Sequence, residues 1–198
     1  MARAKEFDPD TALDAALMLF WERGYEATSM ADLVERLGVA RASLYATFGG
    51  KHALYLAALD RYRGLTDPVV LAELSRPGPV LPAVRALVRR YAAEAAGPDA
   101  GRGCFVVNTA VELAPHDEAA TRRVQASWDH LEAVLAAALT RAAAQDELPG
   151  RDPVALARCL LVFLQGLRVA GRAATEPERL ADAVDQILTL LSFGNDRS

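Results

Sequence analysis

The residues best placed to do chemistry in this chain lie between Arg41 and Lys51. Leu44 and Phe48 recur at i and i+4, so on a helix they mark the buried side, and Arg41, Ala42, Ser43, Tyr45, Ala46 and Thr47 face outward in whole or part. A face that mixes a guanidinium, hydroxyls and small residues suits a DNA major groove, where base edges offer donors, acceptors and methyl groups. Tyr45 could equally pack on the preceding helix, and Lys51 could be a solvated charge. Gly49-Gly50-Lys51 does not make a phosphate loop, because the earlier glycine of G-x-x-x-x-G-K is Tyr45 here and His52 follows the lysine.

Catalytic chemistry finds little support. The chain has no G-x-S-x-G, no H-E-x-x-H and no dinucleotide glycine pattern, so we expect neither an enzyme nor a bound cofactor. His52, His116 and His130 share no ligand spacing, and Pro115 interrupts the approach of Glu112 to His116, which leaves no expected metal site. Cys104 and Cys159 form no C-x-x-C. Following Arg102-Gly103 at a helix start, Cys104 has two readings: a thiolate favoured by the helix dipole and nearby charge, able to sense electrophiles or oxidants, or a buried small hydrophobe.

Charge alone does not identify a nucleic-acid binder. The net charge is −4, and residues 1–63 carry eight Lys and Arg against nine carboxylates, a net of −1. Binding then needs a local basic patch, and the motif has to carry the argument. The start of the chain has no apolar signal region, and the apolar run Val154 to Leu164 is broken by Arg158 and too short to span a bilayer. The expectation is a cytoplasmic protein without a membrane partner.

The elements that position these residues read as helices throughout. Asp8 before Pro9 starts a helix whose apolar face is Leu13, Ala16, Leu17 and Phe20, and Gly24 ends it. Ser29 with Asp32 forms a capping-box pattern ahead of Leu33, Val34 and Leu37, and Gly38 supplies the turn. Leu33, Val39, Leu44 and Phe48 then lock the segment 41–48 against its neighbours, giving a helix-turn-helix. Lys51 to Arg63 reads as a fourth helix. Pro68, Pro77, Gly78, Pro79 and Pro82 mark 64–82 as a linker holding a short helix from Val69 to Ser75. Five more helices follow: Val84–Ala96, Cys104–Leu113, Glu118–Gln145, Pro153–Ala173 and Pro177–Leu191. The fold class is all-α with about nine helices, divided into a DNA-binding domain over 1–63 and a ligand-binding and dimerisation domain over 64–198.

The run Ala12 to Leu54 resembles the TetR/AcrR signature, carried by Ala15-Ala16, Phe20, Gly24-Tyr25, Ala27-Thr28, Asp32-Leu33, Gly38-Val39, Ser43-Leu44-Tyr45, Phe48, Lys51 and Leu54. The resemblance implies that Thr28, Ser29 and Lys51 hold phosphates of double-stranded operator DNA while Arg41, Ala42, Ser43, Tyr45 and Thr47 meet bases or backbone. Three features depart from the pattern. Val34 replaces a small alanine, Ala40 replaces a capping serine worth about 1 kcal/mol, and Ala46-Thr47 replaces a histidine-tyrosine pair.

For the remaining helices the same resemblance implies a homodimer and a small-molecule effector. Pro153–Ala173 is apolar on more than one face, so it must be buried on several sides. Its small-residue stripe, with Cys159, Val162, Gly166 and Ala170, joins Val184, Leu188 and Leu191 of the last helix as the candidate four-helix dimer interface. Candidate walls of an effector pocket are Leu87, Tyr91, Phe105, Trp128 and Phe163, with Cys104, Asn108 and Glu112 as polar contacts if their shared face turns inward. The implied function is a repressor that leaves a palindromic operator when a mainly apolar effector binds.

Overall fold

Asp8 accepts the backbone N–H groups of Asp10 and Thr11 at the head of α1 (Pro9–Arg23), which ends at Gly24. The Ser29–Asp32 capping box opens α2 (Met30–Leu37), and Gly38 in the left-handed region (φ 64°) closes it. Left-handed backbone costs glycine nothing, and the chain reverses there into α3 (Arg41–Phe48). Ala40 makes no side-chain cap, as its type requires. The structure is a computed structural model in which residues 7–191 are described. The extreme ends of the two expected domains, 1–6 and 192–198, lie outside the described residues.

The remaining helices are α4 (Lys51–Leu74), α5 (Leu81–Ala96), α6 (Phe105–Glu112), α7 (Glu118–Ala144), α8 (Pro153–Arg172) and α9 (Pro177–Leu190), with single 3-10 turns at Ala100–Arg102 and Ala114–His116. No strand occurs among the described residues. From α5 onward each expected helix is present, its ends within a few residues of the expected ones.

The linker expected over 64–82 is different. Its first part is the second half of α4, which runs unbroken through Pro68 to Leu74. A proline inside a helix removes one backbone bond and costs about 3 kcal/mol. Tyr62 before it and Val70 and Leu74 after it are all buried, and their burial holds the helix together across the break. Punctuation by proline was therefore overruled by packing on both sides.

Two cores result. One gathers Phe20, Leu33, Leu44, Leu54, Tyr55 and Leu59 with Phe105, Val106, Ala120 and Val124. The other gathers Leu74, Val84, Leu87, Leu135, Leu139, Leu160, Leu164 and Ile187. The eight-residue α6 and the start of α7 thus belong to the core that supports the helix-turn-helix. Tyr55 lies at the centre of that core, with ring centroids 5.0 Å from Phe20, 5.1 Å from Tyr25 and 5.0 Å from Phe105, all edge to face. Each such contact contributes about 0.5–1.5 kcal/mol beyond area burial.

The apolar content of α8 exceeds the sequence expectation. The run Val154 to Leu164 was expected to be too short to span a bilayer, but the helix that carries it, Pro153–Arg172, is by length and composition apolar enough to cross a membrane. Ala157, Leu160, Leu164, Leu167 and Gly171 turn one of its sides inward against the second core. Ala155, Cys159, Val162 and Gly166 form the outward side.

Candidate nucleic-acid interface

The helix-turn-helix presents α3 outward as the side-chain pattern requires. Leu33 and Leu44 are fully buried and Val39 nearly so, and they fix α3 against α2. Arg41, Ala42, Tyr45, Ala46 and Thr47 are exposed and Ser43 half-buried. The Arg41 guanidinium carbon stands 5.8 Å from the Tyr45 ring centroid, so cation and aromatic share one face. Tyr45 is 45% exposed, which favours a contact residue over a packing one. Its ring edge also fits against Gly50, where an added Cβ would come within 3.3 Å of Cε1.

Lys51 opens α4 with its Nζ 4.1 Å from the centroid of the Tyr25 ring. The ammonium rests over that ring and makes no ion pair among the described residues, which suits a phosphate contact. If Lys51 neutralises one phosphate, Lys51→Ala should weaken operator binding for all sequences alike and flatten the slope of log affinity against log salt by about 1 per site. Filter binding from low to moderate salt checks this, and an unchanged slope would remove the contact.

Thr28 departs from its expected role. Its side chain is fully buried, and its hydroxyl donates to the Gly24 carbonyl at 2.7 Å. The hydroxyl cannot also reach a phosphate, since the α1–α2 turn folds over it. Ser29 is exposed, but its Oγ accepts the Asp32 N–H at 3.1 Å. The Asp32 carboxylate bonds the Ser29 hydroxyl and backbone N–H and pairs with Arg23 at 3.1 Å, and these bonds, the hydroxyl first, hold its carboxyl below the usual range.

The candidate effector residues are scattered rather than gathered. A cavity of about 580 Å³ opens at the junction of the two cores, walled by Trp21 of α1, Tyr62, Leu65 and Val69 of α4, Tyr91 of α5, Arg168 of α8 and the loop from Gly97 to Gly103. Of the predicted wall only Tyr91 lines it. Cys104 and Trp128 line a small adjoining pocket of about 50 Å³ that shares Tyr62, Tyr91 and Arg168. Leu87 is fully buried in the second core, and Phe163 packs against that core. Phe105 is sealed between Tyr55 and Tyr62.

Of the residues Cys104, Asn108 and Glu112, only Cys104 reaches a pocket, the small one, while Glu112 turns toward the DNA-binding end. Asn108 Nδ2 donates to the Arg102 carbonyl at 2.9 Å, and Glu112 accepts backbone N–H groups of the α1–α2 turn. Cys104 is buried, and the Tyr62 hydroxyl donates to its sulfur at 3.6 Å. Burial pushes the phenols of Tyr55 and Tyr62 up, so both hydroxyls stay protonated.

The cavity residues that sequence reasoning missed did leave a signal. Trp21 falls just off the apolar stripe of α1, and Arg168 interrupts an apolar helix. Arg168 reaches across the cavity wall to Glu94 at 2.9 Å and lies 4.2 Å from the Tyr91 ring centroid. Arg90 pairs with both Glu94 and Glu73. These polar groups are fixed by one another in a lining that also holds Thr66 and Asp99 among its apolar and aromatic residues.

The predicted dimer face divides into exposed and buried residues. Cys159, Val162 and Gly166 are exposed, Val162 by 72%, and Ala170 is half-buried. Val184 and Leu191 are instead buried within their own chain, and Leu188 packs against the same core. Within this chain the buried side of α9 faces the second core, while Leu188 is half-buried and Leu190 exposed.

A two-helix reading head fixed to a helical body with a cavity at the junction defines a helix-turn-helix transcription regulator. Residues 12–58 match the family described as bacterial regulatory proteins, tetR family, and residues 80–187 match the tetracyclin repressor-like C-terminal domain. The chain belongs to the TetR family: it is a DNA-binding transcriptional regulator and not an enzyme. It is 36% identical to the HTH-type transcriptional regulator YezE of Bacillus subtilis (strain 168) over 96% of this chain and 100% of that one. It is 34% identical to the HTH-type transcriptional repressor ComR of Escherichia coli (strain K12) over 95% of this chain and 90% of that one. Among solved structures, the TetR family regulator CifR, a cysteine mutant complexed with 26 bp double-strand operator DNA, superposes with a TM-score of 0.82 at 31% identity, covering 95% of this chain and 98% of that chain.

Proposed function

We propose that this regulator is a cytoplasmic homodimeric repressor that leaves a palindromic operator when a small, mainly apolar effector fills the junction cavity. The observation that carries the reading is the exposed face of α3, where Arg41, Ala42, Ser43, Tyr45 and Thr47 stand clear of the core, with Lys51 and Ser29 beside them for the backbone. One short helix makes few contacts, so a second copy set one DNA turn away, about 34 Å, is needed for a specific site. The outward stripe of Ala155, Cys159, Val162 and Gly166 on α8 supports self-association, since small side chains let helices approach closely. The name of the relative ComR supports the repressing sign.

The cavity is large enough for a drug-sized molecule. Trp21, Tyr62, Leu65, Val69 and Tyr91 offer apolar surface, and Arg168 with Glu94 offers orientation. Trp21 belongs to α1, so an occupant would touch the DNA-binding end directly. Coupling of about 1–3 kcal/mol would weaken operator affinity roughly 5- to 150-fold.

Gel shift with DNA from the chain's own upstream region, repeated across a panel of hydrophobic compounds, tests both halves. Arg41→Ala should cost about 1–3 kcal/mol of operator affinity and relax the preference at one base position in each half-site. A wild-type chain that binds no fragment at low salt, or an Arg41→Ala variant with unchanged affinity and preference, would contradict the reading.

A further inference from the structure

The turn between α1 and α2 is held by a carboxylate from outside the helix-turn-helix. Glu112, at the end of α6, accepts the Tyr25 N–H at Oε2 (3.0 Å) and the Glu26 N–H at Oε1 (2.9 Å). A carboxylate that takes two successive backbone donors makes charge-assisted bonds of fixed geometry. Gly24 gives it room: a Cβ there would stand 2.7 Å from Oε2 and 2.9 Å from Oε1, and its φ of +87° already disfavours a side chain.

What this turn fixes is the DNA-binding end. Tyr25 carries the ring over which Lys51 Nζ sits, and Ser29, a few residues on, caps α2. The opposite end of α6 is tied to α1 as well, because Trp21 Nε1 donates to the Gly103 carbonyl at 3.0 Å. Trp21 and Gly103 both line the junction cavity. Between the two ties the Tyr55 hydroxyl bonds Thr109 Oγ1 at 2.9 Å. One short helix therefore spans from the cavity wall to the turn that sets α2.

We propose that Glu112 is a positioning residue for DNA binding. Its carboxylate locks the α1–α2 turn, sets the pose of α2 and Lys51 on the duplex, and links that pose to the cavity wall at Trp21. The inference rests on α2 and α3 being the DNA-binding elements and is independent of what the effector is.

The test uses the full chain and a duplex selected from random-sequence DNA by the wild type. Glu112→Ala should bind that duplex about tenfold or more weakly, and Glu112→Gln, which keeps one acceptor oxygen and the side-chain volume, should fall between. Circular dichroism and thermal melting identify the folded variants, so affinity is compared among folded chains only. A second readout separates positioning from mere stability. Trp21 and Trp128 are the chain's two tryptophans, so in Trp128→Phe the emission comes from Trp21 alone. Coupling is reciprocal, and saturating duplex should therefore shift Trp21 emission. Adding Glu112→Ala should abolish that shift at saturating DNA. Folded Glu112→Ala or Glu112→Gln with wild-type affinity, or an emission shift that survives Glu112→Ala, overturns the lock alone. A wild-type chain that selects no duplex overturns the DNA-binding reading and the lock together.

Discussion

Gly171→Ala should destabilise the protein by about 2–3 kcal/mol, because there is no space for one methyl group. A Cβ at Gly171 would lie 2.5 Å from the Ala95 carbonyl oxygen, 2.8 Å from its Cα and 2.9 Å from its Cβ. The opposing carbonyl and Cα are backbone, so no side chain can rotate away and α5 and α8 must separate. On an exposed helix the same change would stabilise by about 1 kcal/mol through propensity. The two expectations differ in sign, which makes urea denaturation a clear measurement. A variant as stable as the wild type would mean that α5 and α8 do not approach this closely. The effect should extend to ligand binding, since Ala95, Glu94 and Arg168 line the junction cavity beside this crossing.

Gly166→Trp, five residues earlier on the same helix, should leave each chain folded and break the proposed dimer. Among the described residues, nothing beyond the chain neighbours and the local helix backbone lies within 4 Å of a Cβ built at Gly166, and the residue is exposed. Within one chain an indole there projects into open space. In a symmetric dimer packed through Cys159, Val162 and Gly166 it would meet its own copy across the axis and force the helices apart. The dimer dissociation constant should rise by about 100-fold, close to 3 kcal/mol, and specific operator affinity should fall with it because each monomer reads half a site. Sedimentation velocity paired with gel shift measures both. A variant that stays dimeric would place the interface elsewhere, and one that unfolds would contradict the open space at this position.

The contrast between these two glycines shows where sequence reading stops. Gly166 lies in the small-residue stripe that periodicity picks out, whereas Gly171 has the same chemistry and no distinguishing neighbour. What separates them is Ala95, 76 positions away. The α9 stripe is ambiguous for a related reason: Leu180, Val184, Ile187 and Leu191 announce a buried face, but the pattern is identical whether the cover is α5 or a second copy. Glu112 on α6 was read as a pocket contact because its spacing from Cys104 and Asn108 defines a face, and spacing carries no information about what that face meets.

The amino-acid sequence by itself determined the helices, their caps and the reading head. Asp8, Gly24, the Ser29–Asp32 box and Gly38 act through bonds to atoms a few residues away, so their effects are set wherever the chain goes. The outward face of α3 follows from the same local period. Tertiary structure alone decided that α4 continues through Pro68, that Thr28 is buried, that the cavity is at the junction beside Trp21, and that Glu112 holds Tyr25 from 87 positions away. Those outcomes depend on which surfaces compete for burial once the helices exist, and that competition is settled among distant segments.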